Sequence, residues 1–405
     1  MDSPTPGALH GIRVLDLTRV LAGPWCGMLL GDMGADVIKV ESLQGDDTRS
    51  WGPPFLNGES AYYLGCNRNK RGMAIDFSST AGKDLLKLLI ARSDVLLDNF
   101  KLGTLEKWGL DDAWFDQNAP ALVRCAITGY GVEGPKAGLP GYDFILQAES
   151  GLMSICGPAD GQPTKYGVAV VDIATGMMAA NATQAALISR FRTGKGQKVE
   201  VCLFDTALAL LANVGNSHLA TGSDARRYGN GHPTIVPYTT FPAADGSIAI
   251  AVGNDGQFAR FAELLGHSNW AADERFQKNS ARINHREVIE TMIAQETVRW
   301  QRDELLAALR AHGIPSGQVN TVAQALADKH ALDRQMVTSI QHPTIGSFAT
   351  LGIPLRLLDT PASIRLPPPR LGEHTQQVLS QDLGMTQDQI SVLSAQGVIA
   401  CLSTV

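Results

Sequence analysis

Through its first half, the chain alternates short apolar runs with stretches whose apolar positions recur at helical spacing. Ile12–Leu17 (IRVLDL) has the length and composition of a buried strand, and Gly23–Met33 carries helix-like spacing. Ala35–Glu41 (ADVIKVE) is a second strand that ends in an acid. Ala74–Phe77 leads to Ser79–Thr80, which reads as a cap for the helix Lys83–Arg92. Asp94–Asn99 (DVLLDN) and Ala121–Thr128 (ALVRCAIT) repeat the strand pattern. Strands alternating with ten-residue helices predict βαβ units and a mainly parallel sheet. Right-handed crossovers place Leu17–Gly23 and Asn99–Gly103 at strand C-terminal ends, where open α/β sheets bind ligands.

The second half changes character. Thr175–Phe191 predicts one long buried helix, followed by the turn TGKGQ (193–197), the strand Lys198–Leu203 and an apolar helix Asp205–Leu219. The passage Thr221–Pro237 is loop-rich and precedes a strand, Gly246–Val252. From Gly256 to Arg310 the pattern is helical and more charged, as expected of a separate small domain. Pro361–Pro369 reads as a connector and Glu373–Leu393 as a helical tail.

Composition narrows the class. The 405 residues are 44% apolar and 18% charged, with 41 glycines and a net charge of −6, so wholesale disorder is excluded and extensive burial is expected. No Lys/Arg block creates a nucleic-acid surface. Stretches such as Val168–Val171 and Ala207–Val214 are far short of the ~20 residues of a spanning helix, and MDSPTPGALHG lacks the basic and apolar regions of a signal peptide. Cysteines 26, 66, 125, 156, 202 and 401 form no CxxC pair and no zinc spacing. The expectation is a cytoplasmic protein with no membrane, nucleic-acid or metal partner.

Standard catalytic signatures are few. A strand, turn and helix followed by Glu41 imitate a dinucleotide site, but the turn reads LTRVLAGPWCG and lacks GxGxxG, so a different adenosine-bearing ligand is expected there. There is no GxxxxGK[ST], HExxH or GxSxG, and no histidine lies within four residues of another. Attention passes to Asp172, in VAVVDIATG, where a β-branched run meets a helix start. Asp172 is then either an N-cap that accepts helix amides, or a carboxylate nucleophile at a strand-to-helix junction, at the positive end of a helix.

Nine segments, in order and from end to end, resemble the class III CoA-transferase family. They are LHGIRVLDLTRVLAGPWCGMLLGDMGADVIKVE (9–41), CNRNKRGMAIDF (66–77), DNFKLGTLEKWGL (98–110), GYDFILQAESGLM (141–153), VVDIATGMMAA (170–180), GKGQKVEVCLFD (194–205), GNDGQF (253–258), GIPSGQV (313–319) and LGEHTQQVL (371–379). The resemblance implies that Asp172 attacks an acyl-CoA thioester, giving an anhydride, then an aspartyl-CoA thioester, then a second anhydride with the incoming acid. It implies an assisting role for Asp143, which on its residue type alone is equally a structural acceptor. The Gly253–Gly256 loop matches a family lid; its alternative is an ordinary turn after a strand. The racemase branch of the family needs a histidine where this chain has Tyr142, a phenol with a pKa of about 10 that is ill matched to proton relay at neutral pH.

By the same resemblance, CoA follows the N-terminal sheet as a substrate, with no tightly bound cofactor. Contacts are expected from Leu21, Ala22, Asp76, Ser78, Asn99, Phe100, Lys101, Lys107, Tyr142 and, as a further basic candidate, Arg71. For each Lys or Arg a solvated surface charge is the competing reading. Leu21 and Ser42 replace polar or basic residues of some relatives. His232 is expected as a structural loop histidine rather than a pocket residue, and Glu373–His374 as a helix cap. The implied fold is α/β: a large Rossmann-like domain from 1–220 and 325–405, a small α+β domain over 221–324, and two ring-like chains interlocked as a homodimer. WGPPF (51–55) and the overall pattern are most similar to members that move CoA from succinyl-CoA to a short dicarboxylic acid, glutarate or itaconate. Alternatives are an α-methylacyl-CoA racemase and a catalytically silent CoA-binding homologue.

Overall fold

The computed structural model describes residues 5–402, so the outermost ends of the expected segments 1–220 and 325–405 lie outside the described residues. Six strands run parallel: β1 (Arg13–Asp16), β2 (Asp36–Glu41), β3 (Lys70–Ile75), β4 (Val95–Asp98), β5 (Val123–Thr128) and β6 (Lys198–Cys202). Their order in the sheet is β3-β2-β1-β4-β5-β6, and a short strand, Ile399–Ala400, closes the outer edge of β3 antiparallel. Val14 of β1 stands opposite Val37 on one side and Val95 on the other. Because successive strands are added outward from β1 in opposite directions, a crevice opens beyond the C-terminal ends of β1 and β4.

The apolar runs are nearly continuous because both sheet faces are covered. On one face Val14, Val37, Leu97 and Val123 pack with helices α1 (Ala22–Asp32) and α4 (Val170–Thr193). On the other, Leu15, Ile38, Met73 and Leu96 pack with Leu85, Leu86 and Leu89 of helix α2 (Thr80–Ile90). Ser79 caps α2 by accepting from the Gly82 amide, as the sequence predicts. Helix α1 is apolar all round, and ten of its residues are buried, because it lies beneath α4 as well as against the sheet. A Cβ on Gly176 of α4 would stand 2.5 Å from the Ala22 carbonyl oxygen, so glycine is what lets the first turns of α4 press onto the start of α1.

Several expectations are corrected. The run Val168–Val171 is no strand: α4 begins at Val170 and takes in VVD. The expected helix Asp205–Leu219 is two, Leu203–Ala209 and Ala212–Thr221, separated where Ala212 turns to φ +43. The tail 373–393 is broken into Thr375–Gln377, a π-helical turn Val378–Asp382 and Gln387–Ala395. Strand β3 (KRGMAI) went unread because its charged positions mask it; in the fold Lys70 is buried against Asp16, and Arg71 against Asp36 and Asp382.

The chain divides into two compact units. One takes in residues up to Leu152, Tyr166–Asn216 and everything from His330 on; the other is Met153–Lys165 with Ser217–Lys329. The second unit has its own antiparallel sheet of β7 (Tyr238–Ala243), β8 (Gly246–Ala251) and β9 (Ser316–Gln318), in the order β9-β8-β7. Helices including α5 (Asp255–Leu264) cover it, and Phe241, Ile250, Phe258, Phe261 and Ile289 fill its separate core.

Candidate active site

The crevice at the C-terminal ends of β1, β4 and β5 is walled by Arg19–Ala22, Asn99–Leu102, Ile127–Gly131 and Gly138–Tyr142. Asn99 ties two of these walls together: its Oδ1 accepts from the Arg19 amide at 3.0 Å and its Nδ2 donates to the Arg19 carbonyl at 2.9 Å. Gly129 and Gly141 meet so closely that a Cβ on Gly129 would lie 2.8 Å from the other's Cα. That approach lays the 138–142 loop over the end of β5 and delivers Tyr142 and helix α3 (Asp143–Glu149) to the crevice.

Asp172 also lines this crevice, but neither as a cap nor at a strand-to-helix junction. It is the third residue of α4, and the cap position is Ala169, which has no side-chain acceptor. The missing acceptor comes from α3. Asp143 Oδ1 accepts from the Val171 amide at 2.8 Å and the Asp172 amide at 3.3 Å. Its Oδ2 accepts from Gln147 Nε2 at 2.7 Å, and Gln147 Oε1 in turn accepts from the Tyr166 amide at 2.8 Å. Asp143 is buried and fully engaged, which frees the Asp172 carboxylate from capping its own helix. Burial first, and the neighbouring Asp143 charge second, push Asp172 up to about 7. A second group feels the same charge: burial and then Asp172 hold the Tyr62 phenol above its ordinary range, and Trp51 packs edge-on against the Tyr62 ring at 5.2 Å.

The crevice gathers Leu21, Ala22, Asn99, Phe100, Lys101 and Tyr142 with Asp172. Asp76, Ser78 and Lys107 are not among its walls. Asp76 closes a turn after β3 by accepting from the Ser78 amide and hydroxyl, and Lys107 ends the short helix Thr104–Lys107. Arg71, too, is not among the walls; its guanidinium pairs with Asp36 and Asp382, both at 2.7 Å. Gly253 and Gly256 belong to the second unit. There Asn254 caps α5 by accepting from the Gln257 amide, Gln257 Oε1 accepts from the Gly253 amide, and Gly256 is already helical.

His232 Nδ1 accepts from the Thr234 amide within its loop. The expected Glu373–His374 cap is corrected: His374 Nδ1 accepts from the Gly72 amide and so stitches the tail to β3, while Glu373 accepts from the amide and guanidinium of Arg370. Gln147, Tyr62 and Arg19 were missed. Gln147 had a signal, since four residues after Asp143 on a helix is the same face; Tyr62 had none. Among the described residues no histidine lines the crevice, and no group of three His, Cys, Asp or Glu side chains could hold a metal ion.

Comparison with known proteins bears on this geometry. The model of a family described as CoA-transferase family III matches residues 9–375. A succinate–glutarate CoA-transferase from Agrobacterium fabrum is 43% identical over 380 residues, covering 92% of this chain and 95% of that protein. A succinyl-CoA:glutarate CoA-transferase from Mus musculus is 40% identical over 404 residues, covering 98% of this chain and 91% of that one. The crystal structure of a CAIB/BAIF family protein from Brucella suis superimposes with a TM-score of 0.83 at 44% identity, covering 93% and 99% of the two chains.

Proposed function

The chain belongs to CoA-transferase family III, and from that premise we propose that it moves CoA from succinyl-CoA to a short dicarboxylate of the glutarate type, with Asp172 as the covalent carrier. The observation that carries the reading is the division of labour between two aspartates. Asp143 satisfies the amides of α4, and Asp172, one turn above the Gly176 contact, presents an unengaged carboxylate to the crevice.

The Asp172 carboxylate attacks the thioester carbonyl and expels CoA thiolate, leaving a succinyl–aspartyl anhydride. The thiolate returns to the aspartyl carbonyl, releasing succinate and forming an aspartyl-CoA thioester. The acceptor carboxylate displaces CoA to give a second anhydride, and the thiolate then attacks the acceptor's carbonyl, releasing the new acyl-CoA and restoring Asp172. A carboxylate raised to about 7 is a better nucleophile than an ordinary one and keeps an ionised population at neutral pH. The helix start at Ala22, whose cap residue Leu21 offers no side-chain acceptor, leaves backbone amides for the oxyanion of each tetrahedral intermediate. CoA is read along Leu21–Ala22, Asn99–Lys101 and Tyr142, with its adenosine end towards Asp76, Ser78 and Lys107, as a substrate rather than a resident cofactor.

The remaining parts of the reading belong together. The CoA-binding domain is read as residues 1–220 and 325–405 and the small domain as 221–324, with Met153–Lys165 grouped with the small one. Two chains interlock as a homodimer; four apolar side chains left exposed on α4 (Met177, Met178, Ile188 and Phe191) support a covered surface there. All six cysteines are free, which fits a reducing cytoplasm. No described helix is long and apolar enough to cross a membrane.

Intact-mass analysis after incubation with succinyl-CoA alone, with hydroxylamine trapping, tests the chemistry. An adduct on the Asp172 peptide, absent from Asp172→Ala, is expected. An Asp172→Ala enzyme that still transfers CoA removes the covalent mechanism, and tight CoA binding without any adduct or turnover leaves the silent homologue.

A further inference from the structure

Beneath the loop that joins β1 to α1 lie charges the transfer chemistry does not use. Lys39 and Asp46 form an ion pair at 2.9 Å with both side chains 0% exposed. Lys39 Nζ also donates to the Thr18 carbonyl at 3.0 Å. Asp46 Oδ1 accepts from the Val20 amide at 3.3 Å and from the Thr48 amide and hydroxyl at 3.1 and 2.8 Å. Burial would neutralise both groups, yet the pairing wins: Lys39 and the Thr48 donors hold Asp46 down at about 2, and Lys39 stays above its ordinary range. A buried pair of this kind contributes little stability that two apolar side chains would not supply. Its hydrogen bonds point instead at one short stretch of backbone.

That stretch is unusual. Val20 sits at φ +71, the left-handed region that a β-branched residue avoids, and such a residue persists there only where its surroundings over-determine it. Val20 and Leu21 line the crevice with Asp172. Asp46 is also the cap of the turn Asp47–Ser50, which leads directly to Trp51 and so to the Tyr62 ring beside Asp172. One carboxylate therefore holds the Val20 amide of the crevice wall and caps the turn that precedes Trp51.

We propose that the buried Lys39–Asp46 pair is a positioning device: it holds Val20 in its left-handed conformation and thereby fixes the wall against which the thioester meets Asp172. The inference rests on the reading of Asp172 as nucleophile. Asp46 and Lys39 touch no substrate; they act through the backbone of residues 18–20.

The test is a set of variants of the full chain assayed for succinyl-CoA:glutarate transfer, with thermal midpoint and oligomeric state measured for each. Asp46→Asn is expected to lose about 10- to 100-fold in kcat, with the KM for succinyl-CoA moving less than about threefold, since a misplacement near 1 Å costs on that order. Adding Val20→Gly, which adopts positive φ without penalty, is expected to return about tenfold of that loss. Val20→Pro keeps both buried charges but loses the amide that donates to Asp46 and cannot reach φ +71, and is expected to lose as much as Asp46→Asn. It serves even where an Asp46 substitution does not fold. A folded Asp46→Asn or Val20→Pro enzyme within about twofold of wild type overturns the proposal, as does a glycine that restores nothing. Asp172→Asn is run alongside. If it is active, the nucleophile reading fails; if it is inactive while Asp46→Asn and Val20→Pro are unaffected, only the positioning role fails.

Discussion

Asp172 and Asp143 differ by what each carboxylate faces, and their roles follow from that. Asp143 spends both oxygens on donors, whereas Asp172 faces a half-buried crevice with a like charge behind it and is pushed up to about 7. In the proposed mechanism the deprotonated form is the nucleophile, so the rate of adduct formation from succinyl-CoA is expected to rise with pH and level off above about 7. Asp143→Asn removes the like charge, and the inflection should then move to lower pH; a stopped-flow or quench-flow pH series checks both. Stability moves the opposite way. A carboxyl whose folded pKa exceeds its unfolded value of ~3.9 costs the folded state increasingly as pH climbs from about 4 to 7, and fully above 7. Asp172→Asn should therefore raise the thermal midpoint at pH 8 and change it little at pH 4, while abolishing transfer.

At the scale of elements, the site is made by two approaches of backbone to backbone. Gly176 seats α4 on α1, and Gly129 with Gly141 seats the 138–142 loop on β5. Gly176→Ala would put a methyl group 2.5 Å from the Ala22 carbonyl oxygen; we expect about 1–3 kcal/mol of lost stability and at least a tenfold loss of kcat, measured by denaturant titration and steady-state assay. These contacts also mark what the sequence could show. The strands β1, β2, β4 and β5 were legible because parallel strands inside the sheet are written as largely apolar runs, and the edge strand β6 (KVEVC) by its alternation. The start of α4 was not, since VAVV is strand-like locally and becomes helical through a carboxylate 28 residues earlier in the chain. Likewise β3 hid behind Lys70 and Arg71, whose partners Asp16 and Asp382 are far away in sequence. Asp172 itself was visible as an acid at a helix start; that Asp143 would relieve it of capping was a fact of tertiary structure.

For the molecule as a whole, the pattern of exposed apolar side chains on α4 makes a prediction independent of catalysis. If the chains interlock, folding and association are one process, so the unfolding midpoint should rise with protein concentration. Phe191→Glu should then yield aggregate or unfolded chain rather than a folded monomer, read by light scattering and circular dichroism. A monodisperse, active monomer would remove the interlocked dimer. The family resemblance supplied that expectation; periodicity was silent on it, because a helix face covered by a partner and one covered by its own sheet are written in the same residues.

The closure of the sheet by Ile399–Ala400 has a consequence for how the protein is made. Strand β3 is bonded along its outer edge only by residues from the far end of the described chain: the Ala74 amide donates to Thr375, 301 residues on. At ribosomal speeds of roughly 5–20 residues per second, that edge waits some tens of seconds for its partner. During that interval the nascent sheet carries an open strand edge, so the emerging chain is expected to depend on chaperone cover more than the finished protein does.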